Sequence, residues 1–109
     1  MYQKYHAKKT IVDGITFDSK HEAEVYATLK MLEKGGVIKN LTLQPRYLLQ
    51  EAFEKDGKKY RKIEYVADFQ FEEKGKVKVW DAKGMKTDVY KLKKKMFEYK
   101  YKDLTIEEV

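Results

Sequence analysis

A chain of 109 residues with 42% hydrophobic and 14% aromatic content is long enough for one core, and too apolar to stay disordered although 39% of it is charged. It has no cysteine and only two histidines, which excludes disulfides, thiolate zinc sites and cysteine nucleophiles and leaves little for a histidine-based triad. The net charge of +6 points to an anionic partner.

Residues 1–9 read as a basic tail in which Lys4, Lys8 and Lys9 accompany Tyr2, Tyr5 and His6, a flexible second contact for that partner. The tail lacks the apolar stretch of a signal peptide, and no run elsewhere approaches a membrane span, so the expected location is the cytoplasm. Residues 10–109 read as a single domain. Thr10-Ile11-Val12 and Ile15-Thr16-Phe17 flank Asp13-Gly14, a short-hairpin signal. Asp18-Ser19 starts a helix that runs to about Lys34 and stops at Gly35-Gly36, with Val25, Leu29 and Leu32 as its apolar stripe. Val37 to Leu43 alternates as a strand, and Gln44-Pro45 ends or bends it. Tyr47 to Phe53 is a strand, Lys55 to Lys58 a turn, and Tyr60 to Phe71 one long strand. Lys76 to Lys83 is its hairpin partner. Thr87 or Asp88 caps a second helix with Val89, Leu92 and Met96 as its buried stripe, and Leu104-Thr105-Ile106 is a last short strand. This order predicts an α+β fold (mixed α/β), with a mostly antiparallel or mixed sheet flanked by two helices.

The chemistry gathers on the main hairpin. If Lys74-Gly75 is the turn, Glu73 faces Lys76, Phe69 faces Trp80 and Asp68 faces Asp81; a three-residue loop containing Gly75 is the alternative. Directly opposed residues project to one side with Cβ atoms about 5 Å apart, and like charges placed so destabilise a sheet. Lys83 joins that side roughly 6–7 Å further along the strand. A chain that needed only a stable hairpin would avoid this arrangement, whereas one that binds a divalent cation would use it. Hard Mg²⁺ takes one or two carboxylates plus water and substrate phosphate, so Asp68, Asp81 and Lys83 point to metal-assisted phosphodiester cleavage. Ser19-Lys20-His21-Glu22 reads as a capping box, but Glu22 also lies at the end of the stripe that packs on the sheet. Ligand and cap both remain open for Glu22, while Glu24 turns toward solvent. Between Gly84 and Lys102 the lysines at 86, 91, 93, 94, 95, 100 and 102 stand against Asp88 and Glu98, which supplies +5 of the net charge beside the carboxylates. Lys86, Lys91, Lys93, Lys94 and Lys95, with Lys8 and Lys9, are the expected phosphate contacts.

Asp68 followed by Asp81-Ala82-Lys83, after a helix bearing Glu22, resembles the PD-(D/E)XK nuclease superfamily, whose core order is αβββαβ. The stretches Val12 to Lys20, Leu43-Gln44-Pro45, Tyr65 to Phe69 and Asp81 to Gly84 resemble small bacteriophage proteins described as Holliday-junction resolvases or endonucleases. That resemblance implies a restriction-endonuclease-like core with Asp68, Asp81 and Glu22 as metal ligands and Lys83 as the catalytic lysine. It further implies Mg²⁺ or Mn²⁺ as cofactor, no organic cofactor, branched DNA as substrate, and a homodimer that makes two symmetric cuts. The proline of the superfamily motif is absent, because Ala67 precedes Asp68. Two other readings stay open: a non-catalytic nucleic-acid-binding module of this fold, or a nuclease for nicked, flap or single-stranded DNA or RNA.

Overall fold

The computed structural model describes residues 9–82 and 86–109. Lys8 of the tail and Lys83 of the Asp-x-Lys motif lie outside them. A hairpin of β1 (Thr10–Val12) and β2 (Ile15–Phe17) leads into α1 (Lys20–Lys34), and β3 (Lys39–Leu43) follows. Next come β4 (Arg46–Gln50), β5 (Phe53–Lys55), β6 (Lys58–Tyr60), β7 (Ile63–Val66), β8 (Phe69–Glu73) and β9 (Lys76–Asp81). The chain closes with α2 (Asp88–Lys100) and β10 (Ile106–Glu108). The fold is α+β, with a central sheet ordered β10-β9-β8-β3 in which only the β10–β9 pairing is parallel.

Turn chemistry sets the register. Asp13-Gly14, Asp56-Gly57 and Lys74-Gly75 each have two residues at positive φ, the type I′ geometry whose twist matches that of the flanking strands. Lys74-Gly75 therefore closes a two-residue turn, and β8 and β9 pair Glu73 with Lys76, Phe71 with Lys78 and Phe69 with Trp80, as the sequence predicts.

The long strand predicted from Tyr60 to Phe71 is instead three strands, β6, β7 and β8. Their partners β5, β4 and β3 run back along them, so one antiparallel ribbon extends from the central sheet to the Asp56-Gly57 tip. The ribbon bends where Gln44-Pro45 meets Ala67-Asp68. Its register survives the bend: the offset that pairs Leu43 with Phe69 also pairs Arg46 with Val66. Across the gap, Gln44 N–H donates to Asp68 O (2.9 Å) and Ala67 N–H to Pro45 O (3.1 Å). Proline supplies no donor and is confined to edges and irregularities of sheets; here it marks the bend.

Each face of the central sheet carries one helix. Ala23, Tyr26 and Leu29 of α1 pack with Phe17, Ile38, Phe69, Phe71 and Ala82 on one side. The buried line of α1 is thus centred one residue from the predicted Val25-Leu29-Leu32 stripe, and Val25 and Leu32 flank it half-buried. Tyr26 draws the helix round by packing its ring on Phe17, tilted at 37° with centroids 5.0 Å apart, and donating its hydroxyl to Asp13 at 3.0 Å. On the other side Tyr90 and Phe97 of α2 pack with Tyr47, Tyr65, Ala67, Val79 and Ile106. The predicted α2 stripe is overturned, because Val89 is 61% and Leu92 58% exposed. Two apolar stripes compete on this helix, and the aromatic one buries more area and gains ring contacts. Phe97 lies 4.9 Å from Tyr47, 5.5 Å from Tyr65 and 5.1 Å from Tyr101. The final strand is Ile106–Glu108, displaced from the predicted Leu104–Ile106, and Ile106 rather than Leu104 is buried.

Phe97 is fully buried in the cluster beneath α2. Phe97→Ala is expected to cost about 3–5 kcal/mol of stability, read as a lower urea midpoint with an unchanged denaturant slope.

Candidate functional site

The bend in the ribbon determines the site. In a regular strand a residue's N–H and C=O point to the same neighbour. Asp68 divides them, donating its N–H to Trp80 O on the β9 side (3.2 Å) and accepting from Gln44 N–H on the β3 side. Its carboxylate Oδ2 accepts from Ala82 N–H at 2.7 Å, so a side chain continues the ladder where the backbone has turned away. The predicted direct pairing of Asp68 with Asp81 is therefore not a ladder pair, since the β8–β9 register ends at Phe69 and Trp80.

Both aspartates nonetheless act on Tyr65, Asp81 through a hydrogen bond and Asp68 through its charge. Asp81 is buried at the end of β9, and its Oδ2 accepts from the Tyr65 hydroxyl at 2.6 Å. Burial holds the Tyr65 hydroxyl far above the ordinary tyrosine range, reinforced by the bond to Asp81 and by the negative charges of Asp81 and Asp68. Tyr65 stays protonated and serves Asp81 as a fixed donor. Unbroken alternation would have put Tyr65 on the face opposite Asp68; the bend brings it round.

An open cavity of about 330 Å³ lies at this bend, lined by Asp18, Glu22, Gln44, Tyr65, Asp68 and Lys93, with Thr87, Val89 and Tyr90 on the α2 side. A second, of about 300 Å³, shares Asp18, Glu22, Gln44 and Asp68 and continues past Phe17 and Leu43. The starts of both helices converge here. Ser19 caps α1 by accepting from Glu22 N–H at 3.0 Å, while the Glu22 side chain walls the cavity, so the cap and the site use different parts of one turn. Glu24 is exposed, as the sequence predicts. Gln44, read from sequence as strand-terminating, stands in both cavities with φ at 50°. Such a backbone is uncommon for a residue other than glycine and concentrates at functional positions.

The basic residues divide into three groups. Lys93 is half-buried and lines the larger cavity. Lys9, Lys91 and Lys95 are exposed. Lys86 and Lys94 are held by Glu108, each at 3.3 Å, and the Tyr90 hydroxyl donates to the same carboxylate at 2.7 Å. Glu108 neighbours Asp81 across the parallel β9–β10 pairing. Among the described residues no group of three or more histidine, cysteine, aspartate or glutamate side chains is arranged to hold a metal ion, and no helix is long and apolar enough to cross a membrane.

These features define an α+β domain with an acidic cavity at a sheet bend and a lysine-rich helix beside it. Residues 2–109 match the DUF1064 family, described as a protein of unknown function, and the chain belongs to that family. No curated protein and no solved structure matches it.

The hydrogen bond from Tyr90, followed by the neighbouring Lys94 and Lys86, lowers the Glu108 carboxyl to about 2. An unfolded glutamate titrates near ~4.3, so the clamp stabilises the fold above that pH and is lost as pH falls toward the folded value. Glu108→Gln is therefore expected to lower the urea midpoint at pH 7 and to match the wild type near pH 2, in titrations repeated across that range.

Proposed function

We propose that this protein is a metal-dependent DNA endonuclease with a restriction-endonuclease-like core, which hydrolyses phosphodiester bonds in branched DNA as a cytoplasmic homodimer. One observation carries the reading. Carboxylates from a helix start and a sheet bend, Glu22 and Asp68, wall one open cavity that Lys93 also lines, and Asp81 is anchored beside it through Tyr65.

The donor set suits Mg²⁺ or Mn²⁺. Both are hard ions that prefer oxygen, and Mg²⁺ binds through one or two carboxylates while water and substrate phosphate fill its remaining positions. Glu22 and Asp68 would hold the ion at the cavity, with Asp81 as the further acidic group. When bound, the ion lowers the pKa of a water and neutralises charge on the phosphate. The chain's own residues do the positioning. Ala82 N–H fixes one oxygen of Asp68, and the Tyr65 hydroxyl fixes one oxygen of Asp81. Lys93 presents a cation to the phosphate entering the cavity, and Lys83 supplies the point charge that assists the attacking water. Lys91 and Lys95 extend the basic surface along α2, with Lys9 as a further contact, while Lys86 and Lys94 contribute charge from the Glu108 clamp. Two symmetric cuts need two such sites, which a C2 dimer supplies.

Cleavage of a labelled synthetic four-way junction tests the reading. Wild-type protein is expected to cut it with Mg²⁺ and to stop on chelation. Asp68→Asn and Asp81→Asn, which preserve shape, are expected to lose on the order of 100-fold or more in rate. Equal cutting by all three proteins would rule out the site.

Tyr65→Phe keeps the buried ring and removes only the donor to Asp81. A fall of about 10–100-fold in cutting rate is expected, as for loss of a group that orients a metal ligand, with unchanged affinity for the junction in a binding titration.

A further inference from the structure

The tip of the ribbon stands apart from the core. All six residues of β5 and β6 are exposed, and among the described residues the two strands pair only with each other and belong to neither helix's core cluster. Their side chains sort unevenly between the two sides. Phe53 opposes Tyr60 and Lys55 opposes Lys58 on one face, while Glu54 opposes Lys59 on the other. The second face balances its own charge. The first carries two lysines directly across from each other and, within these strands, no carboxylate.

Like charges so placed destabilise a hairpin, and among the described residues neither Lys55 nor Lys58 forms an ion pair. Charge on an exposed edge guards against unwanted strand pairing, but that purpose does not require two lysines directly opposite each other. The aromatic pair adds a second cost. Phe53 is 44% and Tyr60 39% exposed, their rings stack at 4.6 Å and 9°, and Lys58 Nζ lies 5.0 Å from the Tyr60 ring centroid. Exposed flat rings beside cations that form no ion pair, even with Asp56 in the turn between them, match a sugar–phosphate strand, which offers anionic oxygens to the lysines and apolar sugar and base surface to the rings. A two-stranded ribbon also fits the major groove of duplex DNA.

We propose that the Phe53–Tyr60 ribbon tip is a DNA-binding arm that grips the substrate backbone through Lys55, Lys58, Phe53 and Tyr60, away from the cutting site. No arm residue lines the acidic cavity, so the arm sets affinity and not the chemical step. The proposal rests on the reading of the protein as a DNA-cutting enzyme and adds how that enzyme holds its substrate.

The test is fluorescence titration of a labelled four-way junction across a range of salt concentrations, with Mg²⁺ omitted to prevent cutting. Lys55→Gln combined with Lys58→Gln is expected to reduce the slope of log affinity against log salt by about 2, one for each lost phosphate contact. Phe53→Ser combined with Tyr60→Ser is expected to weaken binding by about 10-fold with the slope unchanged. Glu54→Gln combined with Lys59→Gln, on the self-balanced face, is the control and is expected to bind as wild type does. Circular dichroism should show all three variants folded, because the arm residues belong to neither core cluster. Single-turnover cutting with Mg²⁺ at saturating DNA should proceed at the wild-type rate in all three.

Wild-type slope and affinity in both arm variants would overturn the proposal, and the nuclease reading would survive if those proteins still cut. A reduced slope in a protein that never cuts would leave the arm standing and remove the nuclease reading. Failure of the wild type to bind DNA, or arm variants that change the sedimenting species at an unchanged slope, would also overturn it, the latter by making the tip a contact between copies.

Discussion

The turn of the backbone at Asp68 is the constraint on which the remaining architecture depends. By sending its N–H to one neighbouring strand and its C=O to the other, Asp68 holds β9 and β3 together while the ribbon changes direction. A buried peptide group without a partner costs about as much as a lost hydrogen bond, so a bend inside a sheet persists only if its polar groups are reassigned. The Asp68 carboxylate makes one such reassignment by accepting from Ala82 N–H. An acidic residue is thus placed at the bend for structural reasons, and the same bend opens the space in front of it.

That space is where the two halves of the protein meet. The α1 cluster and the α2 cluster lie on opposite faces of the sheet and share no residue. An unbent sheet would keep the helices apart. At the bend, the first turn of α1 and the first turns of α2 line the same cavity. The helices carry complementary chemistry to it: acid from Asp18 and Glu22, a cation from Lys93. Two rings, Tyr65 and Tyr90, then join this region to the acidic groups on β9 and β10. Electrostatics and packing are therefore coupled, since the tyrosines that anchor Asp81 and Glu108 are themselves part of the α2 cluster.

Much of this was legible in the amino-acid order where local physics governs. The three turns carry their own conformational signature, and the Lys74-Gly75 turn fixes which residues of β8 and β9 face each other. Ser19 and Thr87 cap helices in the way their side chains favour. Legibility failed where two local answers compete or where a long-range bend intervenes. On α2 the Val89-Leu92-Met96 stripe and the Tyr90-Phe97 stripe are both apolar, and only the waiting rings of Tyr47 and Tyr65 decide between them. Period-2 alternation read Tyr65 and Asp68 as facing apart, because nothing within Tyr60 to Phe71 announces an interruption. The signal lay in the partner strand, at Gln44-Pro45, and its consequence for Tyr65, Gln44 and Lys93 passes through pairing that a one-strand reading does not include.

The ribbon is a nested hairpin, closed at Asp56-Gly57, with each pair of residues enclosed by the next. Two-residue periodicity makes its length adjustable in steps: one added residue on each strand near the tip would invert the faces of the end, whereas two would restore them. Either change leaves the offset between Gln44 and Asp68 untouched, because that offset is held at the base by β3 and β8. Relatives of this chain can therefore vary how far the hairpin extends by small paired insertions, while the carboxylates at its foot keep their places.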